Sequence, residues 1–153
     1  MQRLPPRRQG DLGELSAMAS FAARNHAIYV PVGHSPTCDF IAERQRKLLQ
    51  VQVKTSTRFR NGRWEVSLCT RGGNQSWSGI VKRLDPKSID YLFVVVGNGR
   101  RWSIPAGSVE GGTFILLGGP KYAHFEVEPG SPLPQPEAGQ SLSSASPVGC
   151  PSG

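Results

Sequence analysis

Asp39, Gln52 and Lys54 are the residues of this 153-residue chain whose types and spacing could do chemistry together. In Leu49-Gln50-Val51-Gln52-Val53-Lys54 apolar and polar residues alternate, so Leu49, Val51 and Val53 share one strand face and Gln50, Gln52 and Lys54 the other. The apolar face is the one expected to be buried. Upstream, Asp39-Phe40-Ile41-Ala42 supplies a second strand, and the charged segment Glu43-Arg44-Gln45-Arg46-Lys47 joins the two as an antiparallel hairpin. Its loop can hold two residues, Gln45-Arg46, or four. Two residues set Asp39 opposite Gln52 and four set it opposite Lys54, and directly opposed residues point to one face at roughly 5 Å. In both cases a carboxylate, an amide and an ammonium converge: an anionic oxygen, a neutral group that donates and accepts, and a positive donor.

The rest of the chain must hold that hairpin. With 37% apolar residues it can build one core but not two comfortable ones. Residues 1–9, with two prolines and three arginines, read as a flexible basic arm, 10–128 as the folded domain, and 129–153, dominated by Pro, Gly and Ser, as a disordered tail. A helix is expected over Asp11–Arg24, with Leu12, Leu15, Ala19 and Ala22 at helical spacing, acids in its first turn and Arg24 in its last. Ala27–Val30 gives a first strand. Asn61-Gly62 signals a hairpin turn into the alternating Trp64–Leu68 strand. Arg71–Gly79 has no core-forming period and reads as an exposed, adaptable loop. The apolar run Ile89–Val96 suits a strand buried on both faces, paired across Gly97-Asn98-Gly99 with Arg101–Ile104. Pro105–Val109 reads as one helical turn and Thr113–Leu117 as a further strand. The sum is an α+β arrangement, a central mixed or antiparallel sheet flanked by helices.

Charge narrows the partner. The chain carries a net +7, and residues 1–121 hold all 18 basic and 8 of the 11 acidic residues, a net of +10 against −3 beyond. Ten of the basic residues fall between Lys54 and Arg101, where the only acids are Glu65, Asp85 and Asp90. This favours a polyanionic partner. No apolar run approaches the roughly 18 residues of a membrane span, and no signal-type apolar core follows the basic N-terminus, so a soluble, cytoplasmic protein without a membrane partner is expected. Cys38, Cys69 and Cys150 are far apart, odd in number and form no C-x-x-C pair, which argues against a disulfide framework or zinc ribbon. His26, His34 and His124 lack metalloenzyme spacing. Gly97-Asn98-Gly99 lacks the third glycine of a dinucleotide fingerprint. Trp77 could stack on a base, whereas Trp102 is better placed in the core.

The order of Glu14 on the first helix, Asp39 on one strand and Gln52-Val53-Lys54 on the next resembles the PD-(D/E)-x-K nuclease core, in the variant with glutamine for the second acid. The pattern is similar to the cyanobacterial group I intron homing endonuclease family, in Gly10-Asp11-Leu12-Gly13-Glu14, Pro31-Val32-Gly33, Val51–Lys54, Tyr91–Val96 and Trp102-Ser103-Ile104-Pro105. The likeness runs from about Gly10 to Glu128. Two departures stand out: Cys38 precedes Asp39, with the proline displaced to Pro36, and Gln52 brings no negative charge, which makes a two-metal site harder to build.

The resemblance implies a restriction-endonuclease-like core, hydrolysis of phosphodiesters in double-stranded DNA, Mg²⁺ as cofactor with Mn²⁺ as a substitute, and a homodimer or homotetramer. It implies Asp39, Glu14 and the Val53 carbonyl as metal ligands and Glu14, Asp39, Gln52 and Lys54 as the catalytic set. Gln52 would orient, and Lys54 would position the water or stabilise the transition state. DNA contacts are expected on Arg58, Arg60, Arg63, Arg71, Asn74 and Gln75 for bases and on Lys82, Arg83 and Lys87 for phosphates. A junction-resolving or repair nuclease, or a catalytically silent DNA-binding module, stands as the alternative.

Overall fold

A computed structural model describes residues 6–33, 37–71, 81–110 and 112–134. One α-helix, α1 (Pro6–Ala23), lies on a six-stranded mixed sheet of β1 (Ala27–Tyr29), β2 (Phe40–Arg44), β3 (Lys47–Ser56), β8 (Tyr91–Val96), β9 (Arg101–Pro105) and β11 (Glu126–Val127), in the order β1-β2-β3-β8-β9-β11. On its other face packs a three-stranded sheet, ordered β10-β5-β4, of β4 (Phe59–Arg60), β5 (Arg63–Ser67) and β10 (Phe114–Leu117). Strands β6 (Cys69–Arg71) and β7 (Val81–Arg83) form a separate hairpin. Among the described residues no helix is long and apolar enough to cross a membrane.

The hairpin takes the shorter of its two possible loops. Arg44 pairs with Lys47 and Phe40 with Val51. The turn residues Gln45 and Arg46 both have positive φ, 52° and 66°, the conformation that matches the twist of the flanking strands. Asn61 and Gly62 turn in the same way between β4 and β5.

Strand β8 explains the architecture. It runs parallel to β3, with Gln52 beside Leu92 and Lys54 beside Val94, and antiparallel to β9. Its residues are buried on both faces. Leu92, Val94 and Val96 pack with Trp64, Val66, Leu68, Trp102, Ile104, Ile115 and Leu117, while Phe93 and Val95 pack with Ala17, Phe21, Phe40, Val51 and Leu133. Each such side chain contributes about 1.5–3 kcal/mol of burial. Trp102 is a core residue, as its sequence context indicated.

Four expectations are corrected. First, α1 starts at Pro6, not Asp11, so residues 6–9 are helical; proline is favoured at a first helical position because that N–H has no partner there. No acid then lies in the first turn and no base in the last. Second, the face turned to the sheet is Gly13, Ala17, Ser20 and Phe21, whereas Leu12, Leu15, Ala19 and Ala22 are exposed. Third, the expected mixed sheet is accompanied by a second, smaller one rather than standing alone. Fourth, residues 129–134 belong to the packed unit: Leu133 is only 3% exposed, its N–H donates to the Gly97 carbonyl, and Gly130 N–H donates to Gly99 O.

Candidate active site

The site forms at the start of β2, against the edge of β3. Asp39, one residue before β2, does not continue the ladder as a regular pair. Its N–H donates to the Val51 carbonyl at 2.9 Å, and its carboxylate Oδ2 accepts from the Val53 N–H at 2.7 Å. The carboxylate thereby takes the place of a strand partner. Within a strand the N–H and C=O of one residue point to the same edge, so the Val53 carbonyl is directed to the edge on which Asp39 sits.

Two further groups meet Asp39 from opposite faces of the sheet. Val51, Val53 and Thr55 face α1, and Glu14, at the middle of that helix, hydrogen-bonds through its carboxyl to Asp39. Gln52 and Lys54 alternate onto the other face, that of Leu92 and Val94, where both are half-buried. Lys54 lies close enough to feel the charge of Asp39 and the thiol of Cys69. Burial and the neighbouring Asp39 push the Glu14 carboxyl up from 4.5 to about 7. Asp39 is also raised, by burial, against the opposing pull of the Val53 N–H, Glu14 and Lys54. Of the two, Glu14 is the one that keeps a proton, because Asp39 already accepts from a backbone donor. Burial lowers Lys54, opposed by Asp39 and Cys69.

Hard oxygen donors dominate this set: two carboxylates, the Val53 carbonyl and, by strand position, the Gln52 amide. Among the described residues no cluster of three or more His, Cys, Asp or Glu could hold a metal. Two carboxyls driven together until one holds a proton are, however, the arrangement that a divalent cation relieves, and oxygen ligands suit a hard cation. The residues present fit one such ion.

The expected DNA-contacting residues fall into groups. Arg60, Arg83 and Lys87 are exposed. Arg58 is paired with Glu65 at 3.6 Å, and Arg63 lies over Gly119, where an added Cβ would meet its guanidinium. Arg83 is registered opposite Cys69, the residue beside Lys54. The β-strands carry Arg71 and Lys82, whose side chains, like Asn74, Gln75, Trp77 and His34 as a whole, lie outside the described residues. Two arginines of the basic excess are engaged internally. Arg100 makes a bidentate pair with Glu126, at 3.0 and 2.7 Å, and Arg101, 6% exposed, donates to the Glu128 and Ser16 carbonyls.

Fold and site thus define a class: a mixed sheet whose β-hairpin bears a carboxylate and a lysine, met by a second carboxylate from the helix packed on it. The chain matches the PD-(D/E)XK endonuclease family over residues 4–110, and it belongs to that family. Members generally use divalent metal ions. Its fold is similar to that of a bacterial homing endonuclease, I-Ssp6803I, with a TM-score of 0.64 and 16% identity over 78% of this chain and 87% of that one. No curated protein matches the sequence.

Proposed function

We propose that this protein is a Mg²⁺-dependent endonuclease of double-stranded DNA, of homing type. The observation that carries the reading is the Glu14–Asp39 carboxyl pair, in hydrogen-bond contact beside the half-buried Lys54 and the Val53 peptide group. Asp39, Glu14 and the Val53 carbonyl would hold the ion, which supplies neutralisation of charge on the attacked phosphate and a more acidic water. Asp39 is fixed by the Val53 N–H, so its second oxygen is presented without a search through rotamers. Glu14 gives up its proton when the ion binds, which ties activity to its deprotonation. Gln52 orients through its amide, adding no charge. Lys54, lowered by burial, holds a proton more loosely than a surface lysine and can orient the attacking water or donate to the developing charge.

Arg83 extends the reading to DNA. Its register opposite Cys69 sets it at the rim of the site, suited to a phosphate next to the cut bond. Lys82 and Lys87 would flank it, and the segment from Arg58 to Gln75 would reach base edges, with the exposed Arg60 among its side chains. A single domain of this size covers only a short half-site, so a homodimer or homotetramer is proposed to read a two-fold target.

Cleavage of supercoiled plasmid, linear duplex and a four-way junction with Mg²⁺ tests the activity. Sequence-dependent cutting of duplex is expected. Junction-selective cutting without sequence preference would assign a resolving nuclease instead, and binding without cutting a silent module. In the same assay Lys54→Ala is expected to lose at least about tenfold in rate, ~1.4 kcal/mol, with unchanged duplex affinity. Arg83→Ala should weaken binding to all sequences alike and reduce the slope of log affinity against log salt by about one. A loss confined to the preferred site would contradict a phosphate role.

A further inference from the structure

A close approach of α1 to the sheet lies one residue before Glu14. Gly13 is buried against β3, and a Cβ built on it would fall on Thr55 Cγ2 inside the 3.0 Å that real Cβ contacts respect, with Val53 Cγ1 at 3.6 Å. One helical turn earlier, on the same face, Gln9 Nε2 donates to Thr55 Oγ1 at 3.1 Å. Thr55 therefore meets α1 with both branches of its side chain: the hydroxyl is held by Gln9, and the methyl occupies the space that Gly13 leaves open. Further along, the residues facing the sheet grow, from Gly13 to Ala17 to Phe21, whose ring packs edge-on with Phe40 and Tyr91. The helix thus lies close against β3 where Glu14 meets Asp39.

We propose that Gly13 and Thr55 form the contact that sets the depth of α1 on β3 and so brings the Glu14 carboxyl to Asp39. Both are positioning residues, since neither carries a metal-binding or acid–base role. Any side chain at 13 has to displace a β-branched methyl that is itself fixed by the Gln9 hydrogen bond, so the helix yields rather than the strand. Because Glu14 follows immediately, it moves with the backbone. The geometry stands independently of the nuclease reading; its consequence for metal binding rests on that reading.

Three variants test this: Gly13→Ala, Thr55→Ser, and the two combined. Serine keeps the hydroxyl that Gln9 binds and removes the methyl that a Cβ at 13 would strike. Crystal structures of the metal-free proteins should find the Glu14 and Asp39 carboxyls out of hydrogen-bond reach in Gly13→Ala and back in contact in the double variant. Mg²⁺ titration without DNA should weaken about tenfold in Gly13→Ala, and return to within about twofold of wild type in the double variant, with DNA affinity unchanged in all three. If Gly13→Ala fails to fold, the double variant decides, and it must fold with the Glu14–Asp39 contact restored. A Gly13→Ala protein that keeps the contact, or a double variant that does not regain it, overturns the proposal. Wild type that binds no Mg²⁺ would count against the nuclease reading instead, and the carboxyl separations would still decide the role of Gly13 and Thr55.

Discussion

Asp39→Asn is expected to slow Mg²⁺-dependent cleavage by about 10³-fold, the equivalent of ~4 kcal/mol in the transition state, while leaving metal-free DNA binding intact. The asparagine is chosen for what it preserves. Asp39 Oδ2 accepts from the Val53 N–H at 2.7 Å, and an amide oxygen can keep that bond while the negative charge is lost. Asp39→Ala would also stop cleavage, but it would strand the Val53 donor at a cost of about 1–3 kcal/mol and mix a folding effect with a catalytic one. Burial already raises the Asp39 carboxyl, so a neutral group there does not lower the stability of the metal-free fold. The melting temperature of Asp39→Asn without metal should therefore be no lower than wild type. Single-turnover cleavage with saturating enzyme isolates the chemical step, and duplex binding in EDTA measures the rest. Wild-type cleavage by Asp39→Asn would remove Asp39 from the metal-binding set.

Period-two alternation was enough to read the hairpin that carries Asp39, Gln52 and Lys54, because one face of β3 packs on α1 and a shift of one residue would turn Val51 outward. The choice between a two- and a four-residue loop was not legible. Gln45 and Arg46 both adopt positive φ, which glycine or asparagine would have announced. The buried face of α1 was hidden for a related reason. Leu12 and Leu15 look like core residues by spacing, but beside β3 the sheet comes so close that the small Gly13 and Ala17 take the buried face there, with Phe21 filling it further along. Pairings between distant segments left no local trace. Phe114–Leu117 lies beside β5, nearly fifty residues earlier, and Leu133 enters the core from a stretch of proline and glycine. The charge count was misleading for Arg100 and Arg101, since the carboxylates that bind them lie beyond the basic stretch in which they were counted. Glu14 was legible through family resemblance; nothing in the spacing of a lone acid on a helix says which strand it faces.

Glu14→Gln should separate stability from activity, gaining the first and losing the second. The Glu14 carboxyl is raised from 4.5 to about 7, by burial first and then by Asp39, so the metal-free folded state binds its proton more tightly than the unfolded chain does. The stabilisation from that proton is complete below about pH 4.5 and is lost as pH rises to 7, above which the folded state carries two facing carboxylates. Glu14 remains partly open to water, so screening reduces the full linkage value to about 1–2 kcal/mol, a few degrees in melting temperature. Metal-free wild type should therefore lose stability relative to Glu14→Gln between pH 4.5 and 7, and the variant should melt higher at pH 8. Mg²⁺ reverses the order, because the paired carboxylates then have a charge to bind and the amide has none to offer. Cleavage by Glu14→Gln should fall about 10²-fold, ~2.7 kcal/mol, while wild-type cleavage at sub-saturating Mg²⁺ should decline about tenfold for each pH unit below about 7, as the proton competes with the ion for Glu14. Thermal melts across pH 4 to 9, with and without Mg²⁺, together with the pH–rate profile, check each arm. Parallel stability curves for the two proteins without metal would mean that Glu14 does not share a proton with Asp39, and a wild-type rate that stays flat down to pH 5 at sub-saturating Mg²⁺ would take Glu14 out of the ion's ligand set.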